Sequence, residues 1–371
     1  MNFSNRIALN WSVFSNTATG AARRAFELHK RIPPDIRFIA FVTEEFSSEW
    51  MNEFLQFDFV QIGSSRSFIH RLKEGSGAYW KSLLDKHGCR LWVTDTLPVP
   101  AGLGAVKTCI TVHDLRYLSS RKYVSLKRYV LLKALMSSSL KRADAVIAVS
   151  SWTKEQLIEH YSVPCEKLKV IYNSVDRNFP GPSNIQSSAL DKPYLLSVGH
   201  LEKRKNFETL VRAFSSIADS WDGFLVLVGN DQGSLGDIRA AAEKSGVSDR
   251  LIVKNSTSFE ELCELYTNCE VVICPSLYEG FGMTLLEGMA AGKPVIASNI
   301  QPHREVAGDA ALLVDPGEEE IKGFAQATLE LLNNSELSKS YIDRGFSRLK
   351  QFSWEKSAEQ LESLYRSLLE E

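Results

Sequence analysis

The sequence predicts two doubly wound α/β domains in tandem, each built on a parallel sheet with helices on both faces. Three observations predict this class. Short β-branched runs alternate with amphipathic segments of helix length along most of the chain, the pattern of repeated βαβ units. The length, 371 residues, is long for one such domain and comfortable for two. A polar tract, NSVDRNFPGPSNIQSSALDKP over 173–193, divides the alternation into halves. Rich in Pro, Ser, Asn and Gly and without apolar period, it reads as a linker.

In the first half the strands expected are RIALN (6–10), IRFIAFV (36–42), RLWVT (90–94), KTCITV (107–112), DAVIAV (144–149) and KLKVIY (167–172). In the second they are YLLSV (194–198), FLVLV (224–228), RLIV (250–253), VVIC (271–274), PVIAS (294–298) and ALLV (311–314). The first domain is set at 1–175 and the second at 190–352. A final amphipathic helix, SWEKSAEQLESLYRSLLEE over 353–371, is expected to pack back on the first. Ligands of open α/β sheets bind beyond the carboxyl ends of the strands, so a cleft between the domains is the place to look for chemistry.

Composition narrows the partners. Apolar residues make up 44% and charged residues 24%, ordinary for a folded globular chain, and no run of 18 apolar residues offers a membrane span. The start, MNFSNRIALNW, lacks the apolar core of a secretory signal. The six cysteines are scattered, with no CxxC pair and no zinc-ligand spacing, as expected of reduced thiols in a cytoplasmic protein. The net charge of −2 conceals an asymmetry: residues 1–180 carry 25 Lys and Arg against 16 Asp and Glu, and the remainder 18 against 29. The stretch 119–143 holds seven basic residues and no acid. It reads either as a solvated helix face or as a basic amphipathic helix at an anionic lipid surface or a phosphorylated acceptor, a peripheral contact at the inner face of the membrane. No nucleic-acid partner is expected.

Two stretches of the second domain carry candidate chemistry. In SVGHLEKRKNFETLVRAF (197–214) a strand ends at Val198, and Lys203, Arg204 and Lys205 precede a helix near Asn206. Cations and open amides at a helix N-terminus suit a diphosphate, although a cluster of this kind alone more often marks an exposed charged loop. In EGFGMTLLE (279–287) a glycine turn leads into a helix near Thr284, with Glu279 before it and Glu287 in its first turn. Gly280 and Gly282 allow close backbone approach, and the amides from Met283 onward would point at phosphate oxygens. A carboxylate beside a phosphate seat is wrong for phosphate and right for a vicinal diol, because it only accepts. Thr284-Leu285-Leu286-Glu287 also reads as a capping box, which would occupy Glu287 without any ligand.

The run PSLYEGFGMTLLEGMAAGKPVIAS resembles the E-x7-E segment of the family 4 glycosyltransferases, retaining enzymes of the GT-B fold. VGHLEKRKN is similar to the basic loop of that family, ADAVIAVSSWTKEQL (143–157) to its inter-strand Ser turn, VIYNSVD (170–176) to its domain junction and TVHDLRYL (111–118) to its strand-end His-Asp. The resemblance implies an acceptor-binding first domain, a nucleotide-sugar-binding second domain, and roles for named residues. Glu287 would hold the ribose diol and Glu279 the hydroxyls of the donor hexose. Lys205, with Arg204, would neutralise the diphosphate, assisted by amides from Phe281 to Leu285 and the turn through Gly280, Gly282, Met283 and Thr284. His113 would face the donor sugar, and Asp114 would orient its loop. His200 stands where the family often has arginine. In SNTATGAARRAFEL (15–28), Gly20 and Arg23 fit the Gly-x-Gly-Arg-Tyr turn, whereas Ala22 and Arg24 replace its second glycine and tyrosine.

Transfer from a nucleotide sugar needs stabilisation of the leaving diphosphate. Many glycosyltransferases use a metal held by Asp-x-Asp, which does not occur in this sequence. Fixed cations and helix N-terminal amides can meet the same need, so neither metal nor cofactor is expected. The donor favoured by likeness to bacterial mannosyltransferases is GDP-mannose, with UDP-glucose and UDP-N-acetylglucosamine next. The acceptor expected is a saccharide or lipid-linked saccharide in cell-surface polysaccharide or glycolipid synthesis. The alternatives are a UDP-sugar 2-epimerase-type isomerase on the same fold and a non-catalytic scaffold. A dinucleotide oxidoreductase is disfavoured: GSGAYW (75–80) lacks both the third glycine of GxGxxG and the preceding strand.

Overall fold

The structure, a computed structural model, describes residues 6–14, 20–54, 56–64, 75–95, 97–119, 125–175, 179, 190, 192–255 and 257–370. The chain divides into two compact units, Met1–Asn173 with Trp354–Glu371, and Ser174–Ser353. Most of the linker expected over 173–193 lies outside the described residues.

In the first unit β1 (Arg6–Asn10), β2 (Arg37–Val42), β3 (Asp58–Gln61), β4 (Leu91–Thr94), β5 (Lys107–Val112), β6 (Ala145–Ala148) and β7 (Leu168–Val170) form a parallel sheet ordered β3-β2-β1-β4-β5-β6-β7. In the second unit β8 (Tyr194–Val198), β9 (Phe224–Val228), β10 (Leu251–Lys254), β11 (Val271–Cys274), β12 (Val295–Ser298) and β13 (Leu312–Val314) are ordered β10-β9-β8-β11-β12-β13, again parallel. Every run expected as a strand contains one. Central strands such as β4 and β11 are buried at every position, which is why they appear in the sequence as unbroken apolar runs. The strand missed is β3, DFVQ. It lies at the sheet edge with its end residues exposed, so its apolar signal is only two residues long.

Strand order reverses between β1 and β4 in the first sheet and between β8 and β11 in the second. Such a switch point opens a crevice beyond the carboxyl ends of the two strands, because their helices leave toward opposite faces. Both switch points are occupied by the residues considered below.

The helix Trp354–Glu370 belongs to the first unit and packs on the helix Gly20–His29. It buries Trp354, Ala358, Leu361, Tyr365 and Leu368, a stripe at helical spacing. Polar contacts set its register. Tyr365 donates its hydroxyl hydrogen to His29 Nε2 at 3.0 Å, and His29 Nδ1 donates to the Ala25 carbonyl at 2.7 Å. Arg31 pairs with Glu355 at 3.1 Å, Arg366 with Asp35 at 2.8 Å, and Ser357 donates to the Tyr172 carbonyl at 2.8 Å.

Burial pushes the His29 imidazole down to about 4 from 6.5, keeping it neutral in the folded chain. As pH falls below 6.5 the unfolded chain takes up this proton, and the folded chain does so only near 4. Stability carried by His29 is therefore complete above pH 6.5 and declines through that window, by roughly 3 kcal/mol. Six of the seven tryptophans lie in the first unit, so urea unfolding followed by tryptophan fluorescence should show this decline. His29→Gln should flatten it; the same slope in both proteins would contradict the assignment.

Candidate active site

The carboxyl ends of β8 and β11, neighbours at the second switch point, supply the two loops of the site. After β8 the chain turns at Gly199, and Lys203–Lys205 form a single 3-10 turn. Asn206 is left-handed at φ 57°, and the helix Phe207–Ser215 follows, one residue beyond the expected start. After β11 the chain runs through Ser276 to Glu279 and the glycine turn. Leu277 donates its amide to the Arg204 carbonyl at 2.8 Å, and Arg204 Nη1 donates to the Tyr278 carbonyl at 3.1 Å. These reciprocal bonds lock the two loops together.

Glu279 is the centre of the cluster. One carboxylate oxygen accepts Lys205 Nζ at 2.6 Å and Ser276 Oγ at 2.8 Å, and the other accepts Arg204 Nη1 at 2.9 Å. Arg204 also pairs with Glu202 at 2.7 Å. Side chains of Glu279, Arg204 and Lys205 are only 12–14% exposed. Burial opposes ionisation of Glu279, but Lys205 and Arg204, with His303, outweigh it and hold its carboxyl far below the usual carboxylate range. Two cations therefore face two carboxylates, and the site is close to neutral before any ligand arrives.

Lys203 does not join them; it pairs with Glu208 at 2.8 Å and Asp237 at 2.5 Å. The sequence presents three consecutive cations, and the 3-10 turn separates one from the other two. His200 is exposed and forms none of these ion pairs. Gly199 has a steric reason to be glycine. At φ 152°, a backbone angle that favours glycine, a Cβ there would lie 2.8 Å from Lys205 Cε and 3.0 Å from Nζ and would crowd the lysine stem.

The glycine turn ends in a helix over Met283–Ala290 whose N-cap is Gly282, at φ 112°. The amides of Met283 and Thr284 have no acceptor among the described residues, whereas Leu285 donates its amide to the Gly282 carbonyl at 3.1 Å. The open anion seat is thus narrower than the expected span from Phe281 to Leu285: Leu285 contributes a buried side chain and no open amide. Gly280 and Phe281 are buried in the turn, and Phe281 packs edge-on against Phe352.

The helix cap corrects the capping-box reading. The cap residue is Gly282 and no side chain caps the helix, so Thr284 lies inside the first turn. The Glu287 carboxylate instead accepts the Tyr266 hydroxyl at 2.8 Å, with Tyr266 fully buried and its ring against Phe179. The donating Tyr266 hydroxyl thus fixes which way the side chain faces.

In the first unit, His113 follows β5 and donates Nε2–H to Asp95 Oδ1 at 3.2 Å. Asp95 follows β4 directly and its side chain is 7% exposed. Burial opposes its ionisation, and the His113 bond with the neighbouring Arg24 and His29 lowers its carboxyl below the usual range. Asp114 accepts the Arg116 amide at 3.0 Å and so starts the helical turn Arg116–Ser119. Gly20 opens the helix Gly20–His29, where a Cβ would meet nothing within 4 Å. Residues 15–19 of that loop lie outside the described residues. Arg24, which stands at the tyrosine position of the family turn, is buried and donates to the Ile171 carbonyl at 2.9 Å. It staples the fold.

Sequence reasoning missed Gly199, Asp95, Tyr266 and His303. Asp95 could have been found by applying to β4 the strand-end rule applied to β5. Tyr266 and His303 reach the site only through tertiary packing and leave no local signal.

Two family models match the chain: "Glycosyltransferase Family 4" over residues 18–179 and "Glycosyl transferases group 1" over 182–348. The chain is a family 4 glycosyltransferase. The chain is 31% identical over 224 residues to the O-antigen chain mannosyltransferase RfbU of Salmonella typhimurium, a match covering 60% of this chain and 61% of that protein. It is 25% identical over 267 residues to O-antigen chain mannosyltransferase B of Escherichia coli, covering 70% of each. The match to the first relative therefore spans less than two thirds of its length. Among solved structures, Anabaena Alr3699/HepE in complex with UDP-glucose superposes with a TM-score of 0.77 at 17% identity, covering 98% of this chain and 99% of that one. At that identity the likeness speaks for the fold alone.

Proposed function

We propose that this glycosyltransferase moves a hexose from a nucleoside-diphosphate sugar to a hydroxyl of a saccharide or lipid-linked saccharide, with retention and without a metal ion. Mannose from GDP-mannose is the first donor to test, since the two relatives above are named as mannosyltransferases of O-antigen chains. The observation that carries the reading is the pairing of Arg204 and Lys205 on Glu279 beside the open amides of Met283 and Thr284.

The diphosphate, doubly charged or more, is a stronger partner for two cations than one carboxylate. On binding it takes over Lys205 and Arg204, and Glu279 is released to accept hydroxyl hydrogens of the hexose. Glu287, held by Tyr266, takes the ribose diol. As the bond from the anomeric carbon to the diphosphate breaks, negative charge grows on the phosphate oxygens, where the cations and amides stabilise it most. The acceptor oxygen bonds to the anomeric carbon on the face the diphosphate leaves, and its proton passes to a phosphate oxygen. His113 acts on the donor sugar, a role resting on the family motif and on the Asp95 bond that fixes its ring.

The membrane contact has physical support in the helix Leu126–Arg142. Its first turns expose Leu126 (68%), Val130 (57%) and Leu131 (57%) among Lys127, Arg128 and Lys133. Apolar side chains interleaved with cations suit the interface of an anionic bilayer, where a lipid-linked acceptor resides. Residues 120–124 of the basic stretch lie outside the described residues, and no helix described is long and apolar enough to cross a membrane.

Lys205→Ala and Glu279→Ala should each lower transfer at least ~100-fold, with activity of the unmodified enzyme persisting in EDTA. Near-normal turnover in either variant, or complete loss of activity in EDTA, would contradict the reading. Sedimentation with phosphatidylglycerol vesicles should capture the enzyme and lose the variant Leu126→Ser/Val130→Ser/Leu131→Ser. Equal capture of both would remove this helix from the membrane contact.

A further inference from the structure

The imidazole of His303 is 1% exposed, on the first turns of the helix Gln301–Ala307. Its Nδ1 lies 3.0 Å from the Ser298 carbonyl. A carbonyl only accepts, so Nδ1 carries the hydrogen. The opposite edge of the ring faces the glycine turn: a Cβ built on Gly282 would be 3.2 Å from Cδ2 and 3.7 Å from Nε2. Among the described residues Nε2 has no hydrogen-bond partner. Burial pushes the imidazole down to about 4, with Glu279 opposing that shift, so at neutral pH Nε2 presents a lone pair and no hydrogen. Without a partner among the described residues, that lone pair can accept from a donor outside the protein, which a leucine or phenylalanine filling the same space could not do.

We infer that His303 is a donor-sugar residue whose Nε2 accepts a hydroxyl hydrogen from the hexose being transferred. The inference rests on the nucleotide-sugar function proposed above. The chemistry of the turn selects the ligand group. A phosphate oxygen is itself an acceptor and gains nothing from a bare lone pair, whereas a sugar hydroxyl can donate to it. Glu279 lies on the same turn and its charge is felt by His303. A hexose placed there would meet two acceptors, one charged and one neutral, on neighbouring hydroxyls. Phosphate oxygens would meet the cations and the amides of Met283 and Thr284. His303 is a positioning residue for the sugar and takes no part in bond making.

The experiment compares binding of GDP and of GDP-mannose, or of the nucleotide pair that unmodified enzyme prefers, by calorimetry. His303→Asn retains an N–H for the Ser298 carbonyl and removes the acceptor at the Nε2 position; His303→Gln returns an amide oxygen to that position. His303→Asn should bind the nucleoside diphosphate within twofold of the unmodified enzyme and the nucleotide sugar at least tenfold more weakly. His303→Gln should regain most of that loss. A donor lacking the one relevant hydroxyl should lose tenfold with the unmodified enzyme and little with His303→Asn. Equal losses for both ligands would move His303 to the phosphates or to a purely structural role, and undiminished sugar binding would overturn the inference. If the unmodified enzyme binds no nucleoside diphosphate at all, the nucleotide-sugar function itself fails, a result distinct from either.

Discussion

Glu279 holds two cations that would otherwise repel each other in a largely buried site. Lys205 at 2.6 Å and Arg204 at 2.9 Å are not stable neighbours without it, because like charges taken from water lose hydration and gain repulsion. Much of the second unit's local architecture follows from satisfying this one carboxylate. The 3-10 turn Lys203–Lys205 aims two side chains inward and one outward. Gly199 leaves room for the lysine stem. The bonds between Arg204 and the 277–278 backbone bring the two strand-end loops into register. All of it lies where β8 and β11 part company in the sheet order.

Around the glycine turn the hydrogen-bonding character divides cleanly. Lys205, Arg204 and the amides of Met283 and Thr284 can only donate. Glu279, Glu287 and the open nitrogen of His303 can only accept. Phosphate oxygens and sugar hydroxyls make opposite demands, so the nucleotide sugar proposed as donor, which carries both, would match a surface that offers both in separate places. A seat built only for phosphate would have no use for three acceptors beside it. The near-neutral charge of the empty cluster also keeps Arg204 and Lys205 ordered, so that fewer side chains need to be immobilised on binding.

The sheets were legible in the sequence because parallel strands buried on both faces appear as continuous apolar runs. β3 was hidden because an edge strand with exposed ends has no such run. Glu279, Glu287, Lys205 and Arg204 could be read because they lie in compact segments that also carry glycine turns and helix starts. What the sequence could not show was the pairing: Glu279 and Lys205 are 74 positions apart, and their contact depends on β8 and β11 being neighbours. The capping box illustrates the converse. Thr284 and Glu287 have the right spacing, but the left-handed Gly282 takes the cap position, and the carboxylate is claimed by Tyr266 from another helix. His303 and Asp95 belong to the same class of residue, placed by packing and invisible to local pattern.

The most direct measurement is a crystal structure of the enzyme with a bound nucleoside diphosphate. The expected result is that Lys205 Nζ and the Arg204 guanidinium bond to phosphate oxygens above the Met283 and Thr284 amides, with the Glu279 carboxylate parted from Lys205 and turned to the sugar position. A Glu279–Lys205 bridge still at 2.6 Å, with the phosphates bound elsewhere, would show that the ion pair is scaffolding and that the diphosphate is held by other groups.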